Sequence, residues 1–233
     1  MYGIVDISLV QVRAEPSGKS ELTTQLLFGE TYEVIKKQGE WLYIKSFFDN
    51  YEGWINENQH TEHSYSEHGD IISDVFPFQK IRKNNIDIYV LPGSHLNLLE
   101  KFQTKANDLS ITDFAKQFLG TPYLWGGKSF LGIDCSGLVQ VVYKCYGINL
   151  PRDAYQQARF GLTIDFLSEA KANDLAFFEN QDGNITHVGI LLSNEEIIHA
   201  SGFVRIDSID SFGIFNKTLQ KHTHKLKFIK RLM

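Results

Sequence analysis

Hydrophobic positions crowd residues 121–146 (TPYLWGGKSFLGIDCSGLVQVVYKCY) in a way unlike the rest of the chain. From Ser136 to Tyr146 they fall on every side of the segment: Leu138, Val139, Val141, Val142, Tyr143, Cys145 and Tyr146. An element apolar all round is buried all round. A length of about three turns selects helix over strand. Asp134 offers an N-cap carboxylate, Gly147 a C′ residue, and Pro151 follows shortly after. The pattern therefore predicts a core helix with Cys135 in its first turn. Unpaired N–H groups and the positive end of the helix dipole favour thiolate there, and thiolate is the nucleophilic form. Cys145 points elsewhere around the helix and reads as core.

The pattern before and after this helix changes period. Residues 1–60 alternate short apolar runs (Gly3–Val12, Thr24–Phe28, Thr31–Lys36, Trp41–Phe47, Gly53–Ile55) with tight turns, which predicts five strands in a small barrel. Residues 56–70 are polar and carry His60, His63 and His68. Their spacing matches no zinc pattern, and the segment reads as solvated linker. Residues 71–105 offer short strands at Ile71–Phe76 and Ile86–Leu91, with a turn from Leu91 to Ser94. Ile111, Phe114, Ala115, Phe118 and Leu119 recur at helical spacing after Ser110, and Gly120 and Pro122 stop that helix. Residues 151–161 read as a short exposed helix.

Strands return with Ala176–Glu179, Thr186–Leu192 and Glu196–Gly202. A turn at Ser193–Glu195 predicts an antiparallel hairpin between the last two. If Leu192 pairs with Glu196, His187 and His199 stand on one face as diagonal neighbours. Val204–Ile206 and Lys225–Lys230 would complete the sheet. His222 and His224 lie in a basic, polar stretch and read as solvated.

Composition narrows the function classes. With 233 residues the chain holds one large or two small domains, and 42% hydrophobic with 13% aromatic content suits a packed globular protein. A net charge of −5 argues against nucleic acid as a partner. No run is long enough to span a membrane. The first residues lack the basic and apolar regions of a signal peptide, so the expected compartment is the cytoplasm. Two cysteines ten residues apart on one helix make no disulfide framework.

Two stretches carry a resemblance. VRAEPSGKSELTTQLLFGETYEVIKKQGEWLYIK, followed by YEGWI, resembles a bacterial SH3 domain. TPYLWGG, DCSG, LPRDAYQQ, THVGI and IIHASG, with a histidine 52 residues after Cys135 and another 12 further on, resemble the NlpC/P60 cysteine peptidases. The resemblance implies an α+β fold: a small SH3-like β-barrel at 1–60, a linker with short strands at 61–105, and a papain-like NlpC/P60 domain at 106–233. It implies a γ-D-glutamyl-L-diamino acid endopeptidase acting on cell-wall (murein) peptides, with no metal or other cofactor. Cys135 would be the nucleophile, His187 its base and His199 the residue that orients the base. Tyr123 and the Cys135 backbone N–H would form the oxyanion hole. Asp134, Ser136 and Asp153 would receive the free amine of an N-terminal L-Ala, with Glu21 and Tyr51 of the SH3 domain walling the pocket. Ala154 departs from relatives that often carry serine there. The rival readings are a cell-wall peptide-binding protein with a non-catalytic domain, and an amidase or acyltransferase on the same fold.

Overall fold

A computed structural model describes residues 1–64, 71–72, 75–95 and 108–232. The chain divides into two units. The first takes Met1–Asp108 with Trp125–Ser129 and Tyr143–Leu150; the second takes Leu109–Leu124, Phe130–Val142 and Pro151–Met233.

In the first unit, β1 (Tyr2–Ile4), β2 (Leu9–Arg13), β3 (Leu22–Leu27), β4 (Thr31–Gln38), β5 (Trp41–Ser46), β6 (Glu52–Asn56) and β7 (Thr61–His63) form one antiparallel sheet in the order β3-β2-β6-β5-β4-β1-β7. Period-two alternation sends Val10, Val12, Leu26, Leu42, Ile44 and Ile55 into its core, with Tyr32 among them. The run Gly3–Val12 is not one strand: it breaks between β1 and β2, which belong to different parts of the sheet. The polar segment after residue 56 is also more structured than its composition suggests. β7 pairs with β1, Tyr2 opposite His63, and the Tyr32 hydroxyl lies 3.1 Å from His60 Nδ1. His68 lies outside the described residues. The hairpin of β8 (Gln79–Lys83) and β9 (Ile86–Val90) adds a second cluster of Phe28, Ile72, Val75, Ile88 and Val90. Ile71 makes a single bridge to His95 rather than opening a strand.

This unit also holds a buried ionic cluster. Glu30 is fully buried, accepts the Leu27 N–H at 2.8 Å, and pairs with Lys144 Nζ, while Lys128 Nζ lies 3.5 Å away. Lys144 also sits 4.0 Å over the Phe48 ring. Burial opposes ionisation of Glu30, but the two lysines facing it bring its carboxyl down to about 2. Cys145 is buried as core, its thiol directed to the Ile72 carbonyl at 3.9 Å.

After α1 (Ile111–Lys116), capped by Ser110 accepting from the Asp113 N–H at 3.1 Å, come the short strands β10 (Lys128–Ser129) and β11 (Gly132–Ile133). Helix α2 (Cys135–Lys144) follows. Asp134 caps it, accepting the Gly137 N–H at 2.7 Å, and Gly147 ends it in the left-handed region at φ 75°. Leu138, Val139, Val141 and Val142 are all buried, so the helix is enclosed on every side, as its composition requires. Helix α3 (Ala154–Gln157) is shorter than expected and partly buried: Gln157 Nε2 donates to the carbonyls of Ser136 and Pro151 at 3.0 and 2.9 Å.

The second unit's sheet comprises β12 (Leu162–Ile164), β13 (Leu175–Glu179), β14 (Ile185–Leu191), β15 (Glu196–Ser201), β16 (Phe203–Asp210), β17 (Gly213–Asn216) and β18 (Lys221–Arg231). The order is β12-β18-β13-β14-β15-β16-β17, and β17 pairs back onto β18 to close a barrel around Ala176, Phe178, Leu191, Ile197, Ile209, Ile214 and Ile229. The β14–β15 ladder pairs Ile190 with Ile198 and Leu191 with Ile197.

Candidate active site

In the second unit His187 meets His199, Cys135 meets the backbone of Val188, the residue after His187, and Tyr123 feels the charge of Cys135; the β14–β15 register is what aligns the histidines. Leu192 N–H donates to the Glu196 carbonyl at 2.8 Å, which puts both imidazoles on one face. They touch directly: His187 Nε2 lies 2.9 Å from His199 Nδ1, with the rings edge to face. Both are buried, at 6% and 1% exposure.

Cys135 opens α2, and its sulfur takes hydrogen bonds from the backbone N–H groups of Val188, the residue after His187, and of its own neighbour Ser136. It keeps 5% of its surface exposed. The helix start by itself favours thiolate, but burial and then the Asp134 carboxylate push the thiol up to about 12. Burial, then His224 and His199, hold the His187 imidazole well below its ordinary value. The resting pair is therefore a thiol and a neutral imidazole.

Tyr123 is half-buried beside this pair, with its N–H on the Gly202 carbonyl at 2.9 Å. Burial, then the charges of Cys135 and Asp134, keep its hydroxyl protonated, so it can donate. Asp134 does more than cap the helix. Arg152 Nη1 donates to its Oδ1 at 2.9 Å and to Ser136 Oγ at 2.9 Å, while Arg152 Nη2 holds Oδ2. Asp153 stands at the N-cap of α3, its N–H donating to Gln156 Oε1 at 3.3 Å. Glu21 and Tyr51 belong to the first unit, where Glu21 accepts from Trp125 Nε1 at 2.6 Å.

Four residues escaped the sequence reading: Arg152, Arg205, Asp207 and His224. His199 Nε2 lies 3.1 Å from Asp207 Oδ2, and Arg205 Nη2 donates to Asp207 Oδ1 at 2.8 Å. Gly202, at φ 73°, turns β15 into β16 so that His199 pairs with Arg205 and is diagonal to Asp207. That relation was available from alternation across the turn. His224, expected in solvent, stacks on His187 with ring centroids 4.1 Å apart and planes 26° apart. Ring nitrogens of His187, His199 and His224 lie within 4.8 Å of one another. Within this trio His187 touches both others, by the hydrogen-bond contact to His199 and by stacking on His224.

Comparison with known proteins gives the family. The NlpC/P60 family profile matches residues 120–225, and the profile of the bacterial dipeptidyl-peptidase SH3 domain matches residues 12–59. A gamma-D-glutamyl-L-lysine dipeptidyl-peptidase of Bacillus subtilis is 30% identical over 214 residues, covering 77% of this chain and 72% of that relative. The chain belongs to the NlpC/P60 family. A Bacillus cereus protein of the same name is 26% identical over 78% of this chain and 68% of its own length. A crystal structure of a Bacillus cereus NlpC/P60 family protein shares the fold, with a TM-score of 0.82 at 20% identity over 100% of this chain and 99% of that one. The protein is thus an α+β cysteine peptidase, with a papain-like NlpC/P60 domain preceded by an SH3-like barrel.

One position in this NlpC/P60 site has no room to change. By the hairpin register Gly189 stands opposite His199, and a Cβ there would lie 2.9 Å from His199 Cβ and 2.7 Å from Ile197 Cδ1. Gly189→Ala is expected to lower the melting temperature, through overpacking of about 1–3 kcal/mol. It should also lower peptidase activity by about tenfold or more, because His199 is pushed off His187. Thermal unfolding and a hydrolysis assay on the same sample check both effects; unchanged activity would mean that the His187–His199 contact does not matter.

Proposed function

We propose that the protein hydrolyses the bond between γ-D-Glu and the diamino acid, diaminopimelate or lysine, in cell-wall peptides that begin with a free L-Ala. The observation that carries the reading is the hydrogen-bonded His187–His199 pair together with the Cys135 sulfur, which meets the backbone N–H of Val188, the residue after His187. The names of the two Bacillus relatives support the γ-D-glutamyl bond as the target.

In this reading the Cys135 sulfur attacks the γ-carbonyl carbon of D-Glu while its proton passes to His187. The tetrahedral oxyanion is met by the Cys135 backbone N–H and the Tyr123 hydroxyl. His187 then gives the proton to the departing amine, leaving a thioester. Water, deprotonated by His187, attacks the thioester and releases the carboxylate, and the proton returns to sulfur. Asp134 and Ser136, tied together by Arg152, and Asp153 form the side that receives the L-Ala ammonium. The substrates are free murein peptides met in the cytoplasm, in a recycling role.

Mass spectrometry of L-Ala-γ-D-Glu-L-Lys and its diaminopimelate counterpart, each with free and acetylated N-terminus, tests this. The expected result is release of L-Ala-γ-D-Glu from the free peptides and intact acetylated ones. Equal cleavage of both overturns the amine-recognition part; no cleavage of any overturns the reading.

A further inference from the structure

The hydrogen-bonded line does not end at His199. Its far end is a buried carboxylate, Asp207, 5% exposed and paired with a guanidinium: Arg205 Nη2 donates to Oδ1 at 2.8 Å, while Arg205 Nε lies 2.8 Å from Oδ2 as an ion pair without a hydrogen bond. A carboxylate only accepts and a guanidinium only donates. The hydrogen in the 3.1 Å contact between Asp207 Oδ2 and His199 Nε2 therefore sits on nitrogen. In its uncharged form His199 then carries its lone pair on Nδ1. The hydrogen in the 2.9 Å contact with His187 must come from His187 Nε2, which leaves the His187 lone pair on Nδ1.

We propose that Asp207, held by Arg205, is a positioning residue that sets the tautomers of both histidines, so that His187 always offers Nδ1 as the proton acceptor. The proposal rests on the reading of His187 as the base for Cys135. Were the order reversed, His199 would present a hydrogen at Nδ1, His187 Nε2 would accept it, and the His187 proton would occupy Nδ1. A base with its proton already on the accepting atom cannot take the one from sulfur.

The geometry makes an unusual demand on variants. In Asp207→Asn the side chain has one accepting oxygen, and the hydrogen bond that Arg205 donates from Nη2 holds that oxygen at the place of Oδ1. The amide NH₂ group then faces His199 Nε2 and imposes the reversed order. Asp207→Ala imposes neither order. Asp207→Asn is therefore expected to lower kcat by about 100-fold and Asp207→Ala by only about tenfold, with KM little changed in both. A purely structural role gives the opposite ranking, because asparagine is the closer replacement. Adding Arg205→Met to Asp207→Asn frees the amide to turn its oxygen to His199 and should restore part of the loss.

A second measurement needs neither turnover nor a folded variant. In ¹⁵N-histidine-labelled native protein, His199 should be protonated on Nε2 and bare on Nδ1, and His187 likewise. If hydrolysis is never seen, these signals still decide the tautomer question, so failure of the peptidase reading and failure of this one are separable. His199 protonated on Nδ1 in the native protein, or an asparagine variant that folds and is at least as active as the alanine variant, overturns the proposal.

Discussion

Cys135→Ala is expected to lower kcat/KM for L-Ala-γ-D-Glu-L-Lys by about 10⁴-fold, and His187→Ala by a similar factor. The reason is that neither group is reactive alone. The thiol is held protonated by burial and by Asp134, and the imidazole is held neutral by burial and by the two histidines beside it. Groups that act as one unit lose their effect together, so the double variant should be no slower than either single one. Steady-state kinetics on the three variants checks this. Losses that multiply, or a Cys135→Ala protein within tenfold of the parent, would mean that sulfur and imidazole do not work as a pair. Both variants should keep the parent's unfolding temperature closely enough to exclude global damage.

The largest stability effect is expected at Glu30. Glu30→Gln keeps the shape but removes the carboxylate that Lys144 and Lys128 share in the interior. Breaking a buried pair in this way costs about 3–5 kcal/mol. For a protein of this size that is a fall of roughly 10 °C in melting temperature. The same group gives the native protein an acid limit. Its carboxyl is lowered in the folded state, so its contribution is complete above the ordinary glutamate value of 4.5 and is lost as pH falls toward about 2. Calorimetry from pH 7 down to pH 3 should show the parent losing stability in that window and the Glu30→Gln protein losing less. Parallel curves would show that Glu30 carries no linked proton.

Legibility in the sequence tracked the range of the interactions involved. Helix α2 was readable because its caps and its all-round apolar surface lie within fifteen residues. The facing of His187 and His199 was readable because a short turn and strict alternation leave few registers. His224 was not. Strand β18 carries an extra residue, Lys227, between the partners of Phe178 and Phe177, and that bulge reverses the alternation on which a reading from Leu226 and Phe228 depends. With lysines at 221, 225 and 227 around it, the segment looks like solvent-facing strand, yet His224 stacks on His187. The Glu30 cluster failed to show for another reason. Charged residues read as surface unless their partner is known, and Lys144 is 114 positions away from Glu30. The thiol's protonation escaped because a helix-start argument weighs the dipole but not the depth of burial.

Two acidic groups arrive with a guanidinium attached, Asp134 next to Cys135 with Arg152, and Asp207 next to His199 with Arg205. The Cys135 sulfur and the His187 imidazole are uncharged at rest. In the proposed reaction, charge then develops at a sulfur that starts without any. It forms among dipoles whose directions were fixed when the chain folded, so little of the surroundings has to turn to meet it.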